Sequence, residues 1–474
     1  MQRLEIPLTI SALQSSYQQG TLTPLQVTEA IAADLTQRGD DGIWTYTLSE
    51  QALIERAKAL MTVPMRWLSR SSGPSHLWGI PFSVKDCIDV AGHPTSAACP
   101  AFAYNASHTN PAVQKLLDAG AMLIGKTNLD QFATGLVGVR TGYTVPHNAF
   151  SADYMAGGSS SGAALSVAHG LVSFAVGTDT GGSGRVPAGC NNIVGLKPTR
   201  GLLNTRHTVE ACKTLDCLSV FALTAADAEA VLAMAQGDDP ENPFSRPAQP
   251  PMAHLRGYQP GQPFRFGVPS PEQREFFGNE DVAARYEGTI QTLTELGGTA
   301  VEIDYGLFLQ ANELLFNGPW VAERYASVGK FIEANPAAAF PITRDIILKA
   351  KEMSAVNAFE GLYAVAALKR AVEPLWQAID CLVVPTTGTV YRLDEIEADP
   401  LRLNSNLGYY TNFVNLLDLS AIAIPNGFQA NGIPTGVTFI APSFSEAYLT
   451  GLGAAFHHAA NDRLGATAFK LGRE

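Results

Sequence analysis

The sequence predicts an α/β protein, a central mixed β-sheet covered by helices on both faces. Two observations carry this. From about residue 78, short apolar runs of strand length alternate with stretches of helical period, the pattern of a largely buried sheet. Apolar residues make up 46% of the 474 and charged residues only 16%, enough to fill a large core. A chain this long could hold two or three average domains, yet α/β enzymes often exceed that size as one unit. One domain over 1–460 is therefore expected, followed by a C-terminal tail at 461–474.

The elements follow in chain order. Residues 1–65 read as a helical layer packed on the rest, with Thr23 as an N-cap, Pro24 in the first turn and an apolar stripe at Leu25, Val27, Ala30, Ile31 and Leu35. GIPFSVKD (79–86) and CIDVAG (87–92) read as strands, PAVQKLLDAG (111–120) as a helix closed by Gly120, and AMLIG (121–125) as a strand. SSGAALSVAHG (160–170) reads as a helix, LVSFAVG (171–177) as a strand and RVPAGCNN (185–192) as a short helix. The Pro- and Gly-rich segment 237–262 reads as a surface loop, because strand FRFGV, helix AARYEGTIQTLTELGG and strand TAVEID after it fit the same sheet. Mostly helical sequence fills 307–378, and CLVVPTT, SAIAIP and GVTFIAP read as late central strands.

Composition excludes several classes of partner. A formal net charge of −12 argues against nucleic acid or an anionic membrane surface. No apolar run approaches the roughly 18 residues of a membrane span, and MQRLEIPLTI lacks the apolar core of a signal peptide. Cys87, Cys99, Cys190, Cys212, Cys217 and Cys381 lack CxxC spacing, which suits reduced thiols and a cytoplasmic location.

Three motifs carry chemistry, and two of them dissolve. GAMLIGKT (120–127) satisfies the P-loop pattern, but its Ala-Met-Leu-Ile reads as a strand where a phosphate-wrapping loop is needed. GGSSSG (157–162) contains G-x-S-x-G centred on Ser160, but SADYMAG is a poor strand to feed a nucleophile elbow and His169 lies on the helix that would follow it. Zinc has no support, since there is no H-E-x-x-H and His457 and His458 are adjacent on a helix. What remains is a serine activated by a neutral lysine. Burial in an apolar site lowers an amine's pKa, and Lys85, at the end of an apolar strand, is the candidate, although a lysine at a strand end is more often a surface residue.

Lys85 in GIPFSVKD, AGAMLIGKTNLDQF (119–132) and the unbroken run 157–201, with GGSSSG and GTDTGGSGR, together resemble the amidase signature family. The resemblance implies that family's fold and a Ser–Ser–Lys triad: Ser183 the nucleophile, Ser159 the bridging serine on a cis peptide bond, Lys85 the base. It implies an oxyanion hole from Thr180, Gly181, Gly182 and Ser183, and neither cofactor nor metal. Asp179 and Arg185 are then scaffold for that loop, and Ser160 and Ser161 are expected to cap the next helix.

Within the family, NLDQFATG (128–135), GPWVAERY (318–325), FGVPSPEQREFFG (266–278) and the run 393–425 resemble the allophanate hydrolases. This implies a small anionic amide as substrate, its carboxylate gripped by Arg324, with Phe316 and Gln131 also at the substrate. Phe316 stands where these enzymes usually have a tyrosine, and the additional C-terminal domain of full-length members is not seen in this sequence. The resemblance further implies a homodimer. Rival readings are an amidase for another carboxylated amide such as a biuret derivative, the A-type component of a tRNA-dependent amidotransferase, which commonly has an acid at Gln131, and a non-catalytic scaffold.

Overall fold

The computed structural model describes residues 4–62, 77–461 and 463–472. Its strands are β1 (Trp44–Thr47), β2 (Pro81–Lys85), β3 (Pro94–Thr95), β4 (Tyr104–Asn105), β5 (Met122–Thr127), β6 (Phe174–Asp179), β7 (Val194–Lys197), β8 (Cys217–Ala222), β9 (Phe264–Pro269), β10 (Gly298–Ile303), β11 (Cys381–Pro385), β12 (Leu419–Phe428) and β13 (Pro434–Pro442). Eleven of them form one sheet in the order β1-β5-β2-β6-β8-β7-β12-β13-β11-β9-β10. It is mixed: β5, β2 and β6 run parallel, as do β11, β9 and β10, and the strands between are antiparallel. Every residue of β2, β5, β6, β7 and β8 is buried, which is why these strands read as continuous apolar runs.

Helices pack around this sheet. Ser161–Ala168 lies against β2, β5, β6 and β8, Ala225–Ala235 against β6, β7 and β8, and Glu446–Ala460 against β12 and β13. Cross-strand contact between β2 and β6 is tightened by Phe82 and Phe174, paired in register and stacked at 5.1 Å. Thr23 caps Pro24–Arg38 as its sequence foretold, and Gln26 completes a full capping box. The false P-loop is strand β5, its Lys126 buried and paired with Asp86 at 3.3 Å. The six cysteines are buried and unpaired.

Two expectations need correction. The N-terminal layer is not purely helical: WTYT forms β1, whose aromatic and β-branched residues pair with the edge of β5; positions 63–65 lie outside the described residues. CIDVAG is not a strand, because the chain turns at once (Ile88 N–H to Lys85 C=O, 2.9 Å) and Ile88 makes only an isolated bridge to Thr208. Of the described residues after 460, Arg463 and Gly465 accept from Asn192 Nδ2 through their carbonyls, and Ala466 N–H donates to the carbonyl of Ala168.

Candidate active site

Strand β2 ends at Lys85, and its register with β6 (Val84 opposite Val176) sets Lys85 beside Thr178. The amine is fully buried and hydrogen-bonds both Ser159 Oγ and Thr178 Oγ1 at 2.7 Å. Burial holds its pKa below the ordinary lysine range; the neighbouring charges of Cys87, Asp130, Asp216 and Asp179 pull the other way and lose. A lysine in this state can accept a proton from a serine.

Ser159 follows a cis peptide bond from Gly158. The segment is pinned on both sides, Gly158 N–H donating to Leu136 C=O at 2.8 Å and Ser159 C=O accepting from Asp130 N–H at 3.0 Å. Only glycine fits at 158, since a Cβ there would stand 2.0 Å from Asp130 Oδ2. Among the described residues no hydrogen bond joins Ser183 to Ser159, so of the expected triad the structure couples Lys85 and Ser159 and leaves the second link open. Catalytic hydrogen bonds often tighten only around substrate.

The loop after β6 folds around the Asp179 carboxylate. Gly182 and Gly184 donate their N–H groups to it at 2.9 and 3.0 Å, and Arg185 grips it through Nε and one terminal nitrogen, both at 2.9 Å. Burial alone would push Asp179 up, but the Arg185 charge and these donors more than offset it and hold the carboxyl below its usual range. Thr411 Oγ1 donates to Gly181 C=O at 2.7 Å, and Asn415 Nδ2 to Asp179 C=O at 2.7 Å. Ser183 is 3% exposed at the end of this clamp.

That geometry corrects one expected oxyanion donor. The Gly181–Gly182 peptide is engaged at both ends, its carbonyl by Thr411 and its N–H by Asp179, so Gly182 has no free donor. The N–H groups of Thr180, Gly181 and Ser183 have no acceptor among the described residues. The capping expectation also fails. Ser160 stands at the N-cap of Ser161–Ala168 without bonding its N–H groups; its hydroxyl donates to Thr178 C=O at 3.1 Å, because β6 lies closer than the helix end. The Ser161 hydroxyl is directed to Asn128 C=O at 3.5 Å.

Arg324 ends the helix Val321–Arg324, where the chain widens into a π-helical turn at Tyr325–Gly329. It is 2% exposed, and one terminal nitrogen donates to Thr134 Oγ1 at 2.9 Å and Ala133 C=O at 3.3 Å. Its guanidinium carbon lies 5.2 Å from the centre of the Phe316 ring. Glu323 does not pair with it, being occupied by Thr214, and Arg324 Nε has no partner among the described residues. A buried guanidinium with a spare donor suits a carboxylate ligand. Gln131, expected at the substrate, is instead a strut: its amide donates to the carbonyls of Ala98 and Ala338 and accepts from Phe340 N–H at 2.6 Å. Backbone has claimed both ends of that amide. Sequence reasoning missed Thr178, Thr411 and Asn415, and only Thr178, inside the 157–201 block, carried any signal.

Comparison with known proteins places this chain among relatives. The Amidase family model matches residues 40–450. Urea amidolyase of Saccharomyces cerevisiae is 38% identical over 410 residues, 86% of this chain but 22% of that protein. The chain thus spans about a fifth of the length of the urea amidolyases it matches. The A-type component of the glutamyl-tRNA(Gln) amidotransferase of Chloroflexus aggregans is 31% identical, over 95% of this chain and 96% of its own. Among solved structures, Kluyveromyces lactis allophanate hydrolase superposes with a TM-score of 0.87 at 36% identity, covering 95% of this chain and 72% of that one.

Proposed function

We propose, for a chain that belongs to the amidase family and is a hydrolase of amide carbon–nitrogen bonds, that the substrate is allophanate, the carboxylated form of urea. The observation that carries the catalytic part is the buried, charge-disfavoured Lys85 amine hydrogen-bonded to Ser159 at 2.7 Å. Neutral Lys85 takes the Ser159 proton as Ser159 takes that of Ser183, and Ser183 Oγ attacks the amide carbonyl. The oxyanion is met by the N–H groups of Thr180, Gly181 and Ser183. The proton held on Lys85 returns through Ser159 to the departing nitrogen, ammonia leaves, and an acyl group remains on Ser183. Water, deprotonated by the same relay, then releases N-carboxycarbamate. Arg324 holds the substrate carboxylate, a role supported by its burial and its unpaired Nε. One domain over 1–460, a homodimer and a cytoplasmic location belong to the same reading.

The test is ammonia release from allophanate, biuret, malonamate and glutamine, with Ser183→Ala as the control. Allophanate should give the highest kcat/KM, and Ser183→Ala should lose about a thousandfold or more. A second reading, the glutamine-hydrolysing component of an amidotransferase, is favoured by the nearly full-length match to the Chloroflexus aggregans protein. Glutamine turnover exceeding that of allophanate would establish it and overturn the first.

A further inference from the structure

Strands β6 and β8 pair with Asp179 opposite Cys217, so the residues just beyond, Thr180 and Asp216, come side by side. Asp216 Oδ1 accepts the Thr180 hydroxyl at 2.6 Å and Cys212 N–H at 3.1 Å, while Oδ2 accepts Ala211 N–H at 2.8 Å. Thr180 itself is 2% exposed. Asp216 is partly buried, lining a surface cavity together with Arg200 and Arg246, but its carboxylate is fully engaged. Each residue at the head of the cleaving loop is therefore held by a different side chain: Thr180 by Asp216, the Gly181 carbonyl by Thr411, the Gly182 N–H by Asp179.

We infer that Asp216 is a positioning residue for amide cleavage, gripping the Thr180 hydroxyl and so fixing the Thr180 and Gly181 N–H groups where the oxyanion develops. The inference rests on the reading of Ser183 as nucleophile and of this loop as its oxyanion hole. It follows from how sharply such donors act: a misplacement of about an ångström at a preorganised site costs on the order of a hundredfold in rate. Two N–H groups of the 211–212 turn could be tied off by a neutral acceptor. A carboxylate additionally gives a charge-assisted bond to the hydroxyl that leads into the loop.

The experiment measures kcat, KM and Tm for the parent, Thr180→Val, Thr180→Ser, Asp216→Asn and the Thr180→Val/Asp216→Asn pair, using ammonia release from allophanate. Thr180→Val should lower kcat on the order of a hundredfold with KM within about twofold, the signature of support lost in the transition state. Thr180→Ser, which keeps the hydroxyl, should recover kcat to within about threefold of the parent. Asp216→Asn, which keeps an acceptor but loses its charge, should lower kcat with KM little changed, and parental kcat in folded Asp216→Asn overturns the inference. The double variant should lose little more than Thr180→Val alone, because without the hydroxyl residue 216 has nothing left to hold at position 180. If Asp216→Asn does not fold, the contrast between Thr180→Val and Thr180→Ser decides. A folded Thr180→Val with parental kcat, a loss confined to KM, or no recovery by Thr180→Ser overturns the inference alone. A parent without activity, or a Ser183→Ala variant with parental activity, overturns the reading beneath.

Discussion

Thr178→Val removes one hydroxyl and leaves the side chain's shape nearly intact. In the structure that hydroxyl is one of two partners of Lys85 Nζ, at 2.7 Å, on a residue 6% exposed. A buried hydrogen bond of this kind is worth about 1 kcal/mol to a neutral amine and up to about 3 kcal/mol to an ammonium. Losing it should lower kcat roughly five- to a hundredfold, because Lys85 is then aimed at Ser159 by its own stem alone. The ammonium loses more than the amine, so the folded pKa of Lys85 falls further and the acid limb of the pH–kcat/KM profile moves to lower pH. Thr178→Ser should restore both quantities. The assay is ammonia release across the pH range, with thermal melting to verify folding. A Val variant with parental kcat and an unmoved acid limb would refute the idea that Thr178 holds Lys85 in the working enzyme.

Ser183→Ala and Lys85→Ala should each cost about a thousandfold or more in kcat, whereas Ser160→Ala should cost about 1 kcal/mol in stability and keep most turnover, since its hydroxyl bonds only the Thr178 backbone, donating to C=O and accepting from N–H; steady-state kinetics and melting separate the two outcomes. Arg324→Ala should lower kcat/KM for allophanate by about 2–5 kcal/mol, chiefly through KM, with Arg324→Lys rescuing little; parental kinetics would place the substrate anion elsewhere. Lys85 also links stability to pH. Its folded pKa is depressed, so between that value and about 10.4 the unfolded chain binds one more proton than the folded one, and stability rises with pH through that window. The opposition to folding is full below the folded pKa, so Lys85→Met should gain stability over the parent most at the acid end of the window and progressively less toward its top. A stability difference independent of pH from neutral to alkaline would contradict this.

How much of this was legible in the sequence depends on whether a contact is local. Strands β2, β5, β6, β11, β12 and β13 announced themselves because buried strands have no polar alternation to blur them. Lys85 was visible as a charge closing such a run. Strand β1 was hidden because four residues are too few for a period of two to be told from one of 3.6. CIDVAG failed for the opposite reason: its apolar residues look like a strand, but among the described residues it meets only the isolated bridge of Ile88 to Thr208. Thr411, 230 residues from the Gly181 carbonyl it holds, could not be found from local pattern. The roles of Gly182 and Gln131 depend on which acceptor a single N–H or amide meets, and residue type does not encode that.

Lys85, Ser159, Thr178 and Ser183 all come from β2, β6 and the loops between residues 85 and 183, whereas Arg324 and Phe316 arrive on helices more than a hundred residues later. On the proposed reading, the groups that cut and the groups that select what is cut are thus separate inheritances. A lineage, or an engineer, could exchange the 306–334 helices for others and redirect the enzyme to a new nitrogen source while the relay stays where it is. The tightest seam to respect there is where Leu315 meets Gly181: a Cβ at that glycine would fall 2.4 Å from the leucine's Cδ2, so a transplanted helix would have to leave the same clearance, beside new partners for Thr134 and Thr214.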